Sequence, residues 1–114
     1  MRPTSLLPIC LLAALAGPVA AEPLAYVPNE KSASISIIDT ATDQKRGDIA
    51  VGQRPRGIAV GAGQLYLTDG KTGSLLIVDS AVGKLSRSVP VGASPEGVSL
   101  AADGKLLAVA VEDD

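Results

Sequence analysis

Beyond residue 23 the chain is a succession of short apolar, largely β-branched runs, separated by clusters of Gly, Pro, Asp and Asn. The runs fall at residues 24–27, 34–38, 45–51, 57–60, 65–68, 75–78, 85–91, 97–100 and 106–111. They recur about every ten residues, as in an all-β array. Outside residues 1–21, no window places apolar side chains at the roughly 3.6-residue period of a helix. Nine short strands are therefore predicted, with the polar clusters as turns.

The same runs also form an internal repeat. Ala25-Tyr26-Val27, Ser36-Ile37-Ile38-Asp39, Ile49-Ala50-Val51-Gly52 and Pro55-Arg56-Gly57-Ile58 make the first copy. Leu65-Tyr66-Leu67, Leu76-Ile77-Val78-Asp79, Val89-Pro90-Val91-Gly92 and Pro95-Glu96-Gly97-Val98 make the second, 40 residues on. A third copy opens at Asp103-Gly104-Lys105-Leu106-Leu107-Ala108-Val109, read as one residue longer in its turn. A helix-free period near 40 marks propeller blades rather than a helical solenoid. The expected fold class is all-β: a partial β-propeller of four-stranded antiparallel blades, with repeats at residues 24–64, 65–105 and 106–114. Rings need about four to eight blades, so part of a longer propeller is expected. The alternative is a short protein that closes its ring by self-association, because uncapped repeat arrays leave open faces and edges.

Residues 1–21 have a different character. Arg2 supplies a positive start, Leu6 to Ala16 is apolar but for Pro8, and Gly17-Pro18 breaks any helix. Val19-Ala20-Ala21 then offers small residues before an expected cut between Ala21 and Glu22. This reads as a secretory signal peptide, too short for a membrane span, and predicts a periplasmic or secreted protein. Cys10, inside the apolar run without the small residues that precede a lipoprotein cysteine, is a bystander.

The mature chain from Glu22 carries nine Lys/Arg against twelve Asp/Glu, a net charge of −3. Neither sign forms a block, and Tyr26 and Tyr66 are the only aromatics, which argues against nucleic acid or an anionic membrane as partner. With no Cys left and no His anywhere, this stretch has no disulfide, thiolate site, Ser-His-Asp triad or histidine metal ligand. An exported protein without disulfides fits a periplasmic fold held by packing.

The recurring polar residues have local roles. Asp39 and Asp79 end a strand where a carboxylate accepts an N–H two residues on. Gly63 and Gly104 suit hairpin turns that favour positive φ. Pro55 and Pro95, lacking a donor, are expected in connecting loops, with Gly57 and Gly97 letting the chain turn into the next strand. Tyr26 and Tyr66 share one repeat position, which indicates packing. Gly61-Ala62-Gly63 is no dinucleotide loop, since no helix follows.

Tyr26-Val27-Pro28-Asn29 with Ile35-Ser36-Ile37-Ile38-Asp39, and Tyr66-Leu67-Thr68-Asp69 with Leu76-Ile77-Val78-Asp79, resemble the YVTN-type 40-residue β-propeller repeat. Val51-Gly52-Gln53-Arg54-Pro55-Arg56-Gly57-Ile58, with the later Glu112-Asp113-Asp114, resembles more narrowly the exported propellers associated with pyrroloquinoline-quinone-dependent alcohol catabolism. The repeat resemblance implies that residues 57–60 and 97–100 are innermost strands and the Tyr-containing runs second. The Ile/Val-Asp runs would then be third, and residues 49–51 and 89–91 would end the outermost strands. It also implies that the blade opened by residue 24 takes its innermost strand from the C-terminal end of a closed ring.

On that topology the loops before the inner strands share one face of the ring with the loops after the Tyr strands. They bring together Arg54, Arg56, Glu96, Asn29, Glu30, Lys31, Asp69, Lys71, Glu112, Asp113 and Asp114. Arg54 and Arg56, flanking Pro55, could clamp a carboxylate or phosphate through paired N–H donors, or could pair with neighbouring acids. Glu112-Asp113-Asp114 carries calcium-type oxygen ligands without EF-hand spacing, so it reads as a solvated acidic end. The inner strands Gly57-Ile58-Ala59-Val60 and Gly97-Val98-Ser99-Leu100 offer no chemistry beyond Glu96 at one mouth.

The expected function is a non-catalytic binding or scaffold propeller for a periplasmic protein or small ligand, with contacts at Arg54, Arg56 and Glu96. No cofactor is expected in this chain; by resemblance it would accompany a quinone-dependent alcohol-oxidising pathway. The alternative is a catalytic propeller, a quinoprotein-like dehydrogenase or calcium-dependent lactonase, with its active residues downstream.

Overall fold

A computed structural model of the protein describes residues 23–112. The expected signal peptide, Cys10 and Asp113-Asp114 lie outside them. All nine predicted strands are present: β1 (Leu24–Asn29), β2 (Ser34–Asp39), β3 (Gln44–Ala50), β4 (Pro55–Gly61), β5 (Gln64–Asp69), β6 (Ser74–Asp79), β7 (Lys84–Pro90), β8 (Pro95–Leu100) and β9 (Leu107–Val111). They form three antiparallel sheets, ordered β1-β2-β3, β4-β5-β6-β7 and β8-β9. The chain is thus an all-β partial propeller, with one four-stranded blade between a three-stranded and a two-stranded one.

The repeat recurs in the ladders. Tyr26 lies opposite Ile37 and Tyr66 opposite Ile77. Both third strands slip register on meeting the fourth, between Ile37 and Ile38 and between Ile77 and Val78. Such bulges increase local twist at the outer rim. Asp39 and Asp79 cap their turns as expected: the Ala41 and Ala81 N–H groups donate to their carboxylates at 2.9 and 2.8 Å. Gly63 and Gly104 both adopt a φ of 74°.

β4 packs against β8, so the inner strands of the second and third blades lie side by side, and against β1 of the first blade. The core lies largely between the first two blades: Ile35, Ile49, Val51, Leu65, Leu67, Leu76 and Val78, with Tyr26, Ile37 and Ile58 packed around it. Full burial of side chains such as Ile35, Leu65, Leu67 and Val78 contributes roughly 1.5–3 kcal/mol each.

Three expectations change. Pro55 and Pro95 open β4 and β8 rather than sitting in loops, paired with Asp69 and Val111. A first strand residue needs no N–H for the ladder, and the register shift that follows each proline absorbs the mismatch. Gly57 does not serve a tight turn: a Cβ there would collide with the Glu96 carbonyl oxygen of the next blade, so glycine permits the close approach of two inner strands. Finally, the third copy is two residues longer in its turn, not one. Val60 pairs with Leu65 across four residues, whereas Leu100 pairs with Leu107 across six. Two consecutive leucines blurred this in the sequence; the structure leaves Leu106 exposed and puts Leu107 in the ladder.

Candidate functional site

Arg56 and Glu96 occupy the same position in successive repeats, each second in an inner strand. Because β4 and β8 are neighbours, the repeat itself sets the two side chains together. Arg56 Nη1 lies 2.6 Å from Glu96 Oε1, and Ser94 Oγ lies 3.5 Å from the same nitrogen. The stem of Arg56 runs over Gly70, where a Cβ would come within 2.8 Å of its Cδ, so that glycine keeps the slot open. Pro28, Glu30, Pro55, Arg56, Gly57, Glu96 and Gly97 line an open pocket of about 410 Å³ at this end of the inner strands.

Glu112 follows β9 and faces Glu96. A hydrogen bond between the two carboxyl groups raises the Glu96 pKa, burial adds to the rise, and the Arg56 charge opposes it. The pocket therefore holds a guanidinium beside a carboxyl group that keeps its proton to a higher pH than an ordinary glutamate.

Arg54 turns elsewhere. Its Nε lies 2.5 Å from Glu30 Oε1, and this hydrogen bond holds the Glu30 carboxyl below its ordinary value. Glu30, Lys31, Gln53, Arg54 and Lys71 line a second open pocket of about 380 Å³. Arg54 and Arg56 thus enter different pockets, each already paired with an acid from an adjoining blade, and the two-arginine clamp on one anion does not form. Arg54 precedes β4, in the loop held by Asp69, whereas Arg56 lies within the strand, so no strand alternation sets the two side chains on one side.

Two residues that hold this region are less evident in the sequence. Asp69, expected among the charges of the open face, is fully buried. Its Oδ2 accepts the Gln53 N–H at 2.8 Å, and its Oδ1 accepts the Arg54 and Lys71 N–H groups, both at 3.0 Å. Burial pushes its pKa up; the N–H groups of Gln53, Lys71, Arg54 and Thr72 outweigh it and hold the carboxyl below its ordinary range. One carboxylate thereby fixes both the loop carrying Arg54 and the turn carrying Lys71. Thr68 Oγ1 accepts the Gly57 N–H at 2.8 Å and donates to the Glu96 carbonyl at 2.5 Å, tying the two inner strands together. The available signal was positional: Asp69 occupies the Asn29 place of the repeat, where only one copy carries a charge.

Among the described residues, no group of three or more His, Cys, Asp or Glu side chains is placed to hold a metal ion. None of their elements is a helix long and apolar enough to cross a membrane.

No protein-family model and no curated protein matches the chain. Solved structures do. Hydrazine synthase of Kuenenia stuttgartiensis matches with a TM-score of 0.76 and 26% identity, over 79% of this chain and 26% of that one. Two structures of AztD from Citrobacter koseri, one of them apo, each match at 0.57 and 24% identity over 65% of this chain; they are covered over 23% and 22% of their own. The chain spans about a quarter of the length of these proteins. What it shares with them is the fold, and the class it defines is the β-propeller.

Proposed function

We propose that this chain belongs to an exported, non-catalytic propeller that binds a periplasmic protein or small ligand on the face where its inner strands begin, through Arg54, Arg56 and Glu96. The observation that carries this reading is the pocket of about 410 Å³ in which Arg56 and Glu96 meet. The Gly57 N–H and the Glu96 carbonyl in its walls are already bonded to Thr68 Oγ1, so the backbone that carries the charged groups is fixed before a partner arrives. The resemblance of Val51-Gly52-Gln53-Arg54-Pro55-Arg56-Gly57-Ile58, with Glu112-Asp113-Asp114, supports a role beside a periplasmic quinone-dependent alcohol oxidation. No cofactor is assigned to the chain.

The test is binding of the full exported protein to the purified quinone-dependent alcohol dehydrogenase of the same cells. Saturable binding that falls at least tenfold in R56A and E96A is expected. Absence of binding, or turnover of an alcohol or a lactone by the purified protein alone, overturns the reading.

A further inference from the structure

The second pocket has a use that the Arg56–Glu96 pair does not supply. Lys31 and Lys71 stand at the same position of the first and second repeats, in the turns that follow β1 and β5. Arg54 leaves the segment that joins the two blades, between those turns. All three line one cavity of about 380 Å³, together with Glu30 and Gln53. Five lining residues thus bring three cations and one anion together, on a chain whose net charge is −2. Neither lysine has an ion pair among the described residues, and Arg54 is engaged only through Nε, by Glu30.

We propose that this inter-blade pocket is a binding site for a small multivalent oxyanion, a phosphate or a dicarboxylate, held by Lys31, Arg54 and Lys71 and gated by Glu30. The terminal nitrogens of Arg54 form a planar fork suited to two oxygens at once, while the lysines add point charges from either side. Glu30 is the built-in competitor. In the empty pocket its carboxylate occupies the guanidinium; an entering anion with two charged oxygens displaces it and meets three cations instead of one. Asp69 serves as the floor: by accepting the Gln53, Arg54 and Lys71 N–H groups it fixes both sides of the pocket without facing the ligand.

The symmetry of the repeat supports the assignment. Lys31 and Lys71 hold the same repeat position in consecutive blades and line one inter-blade space, so an anion there would meet a positive charge from each blade. Glu30 is the one acid among the lining residues, and its salt bridge is to Arg54. Its counterpart in the second repeat is Gly70, which adds no charge.

The site lies on the partner face proposed above and shares Arg54 with that reading, but it is a pocket apart from the Arg56–Glu96 pair, so the experiment turns on the lysines and Glu30. Calorimetric titration of the full exported protein at low ionic strength is made separately with inorganic phosphate and with succinate. One-to-one binding of at least one of them is expected. In K31Q/K71Q affinity should fall at least tenfold, and in E30Q it should rise about fivefold. All three residues lie at the surface, and unchanged β-sheet circular dichroism in each variant confirms folding. Binding of phosphate alone assigns a phosphoryl ligand, and of succinate alone a carboxylate ligand. No binding of either, equal binding by K31Q/K71Q, or weaker binding by E30Q overturns the site. Binding to the dehydrogenase, measured in the same K31Q/K71Q protein, separates this site from the Arg56–Glu96 reading, which needs neither lysine.

Discussion

The first and second blades carry the same repeat and reach different states. Val27 and Leu67 are equivalent, yet Val27 is 44% exposed and Leu67 fully buried. Asn29 and Asp69 are equivalent too. Asn29 is half-buried and donates to the Ser34 and Ser36 hydroxyls within its own blade, at 3.2 and 2.9 Å. Asp69 is buried and reaches across to the loop joining the blades. The difference lies in the neighbours. β5 has β4 on one side and β6 on the other, whereas β1 pairs with β2 alone among the described strands. Among the described residues, the burial of a repeat position thus follows the strands packed alongside it.

Asp69 should show this most strongly. Replacing it with Ala leaves the N–H groups of Gln53, Arg54 and Lys71 without their acceptor, and we expect a loss of about 3–5 kcal/mol in urea unfolding, against about 1 kcal/mol for Asn29→Ala. Similar losses at the two positions would erase the contrast. Acid sharpens it. The folded state holds the Asp69 carboxyl below its ordinary value of 3.8, so as pH falls the unfolded chain takes up that proton first. The contribution is whole above the ordinary carboxylate range and drains away as pH drops through the folded pKa. The wild type should show this acid limb, and D69N should largely lack it.

Leu67→Ala should cost about 2–4 kcal/mol through lost burial and the cavity left behind, while Val27→Ala should stay within about 1 kcal/mol. A smaller contrast separates the inner strands. Gly57→Ala drives a methyl group into the Glu96 carbonyl and should cost about 2 kcal/mol. At Gly97 a Cβ would meet nothing within 4 Å among the described residues, so in this chain Ala should be tolerated there within about 0.5 kcal/mol. Equal costs would mean that the second and third blades do not approach as closely as described. The smallest effect is electrostatic. Glu112→Gln removes the partner carboxyl and should bring the Glu96 pKa down toward the ordinary glutamate value, as read by carbon-detected NMR titration. An unmoved pKa would leave the two carboxyl groups uncoupled.

Much of the fold was legible because its determinants are local. Apolar runs and turn residues locate all nine strands to within two residues at either end, and Asp39 and Asp79 cap the turns their chemistry suggests. The prolines were harder. Pro55 and Pro95 have the composition of a loop residue, and only the strand alongside shows that a missing N–H at the first ladder position is harmless. Of the candidate site, the pairing of Arg56 with Glu96 follows from the repeat once blades are neighbours. The separation of Arg54 from Arg56 does not, since it depends on where β4 begins and on the Asp69 carboxylate that holds the loop before it.

The sequence by itself determined the periodicity, the strands, the turn chemistry and the class of fold, all of which depend on side chains within a few positions of one another. Tertiary structure alone decided that Asp69 is a buried clamp, that Gly57 is a contact between blades, and that Lys31, Lys71 and Arg54 line a pocket apart from Arg56. Those outcomes depend on which blade lies alongside. In an array of near-identical repeats, burial and electrostatic environment are properties of the interface between units, and identical local sequence carries no record of it.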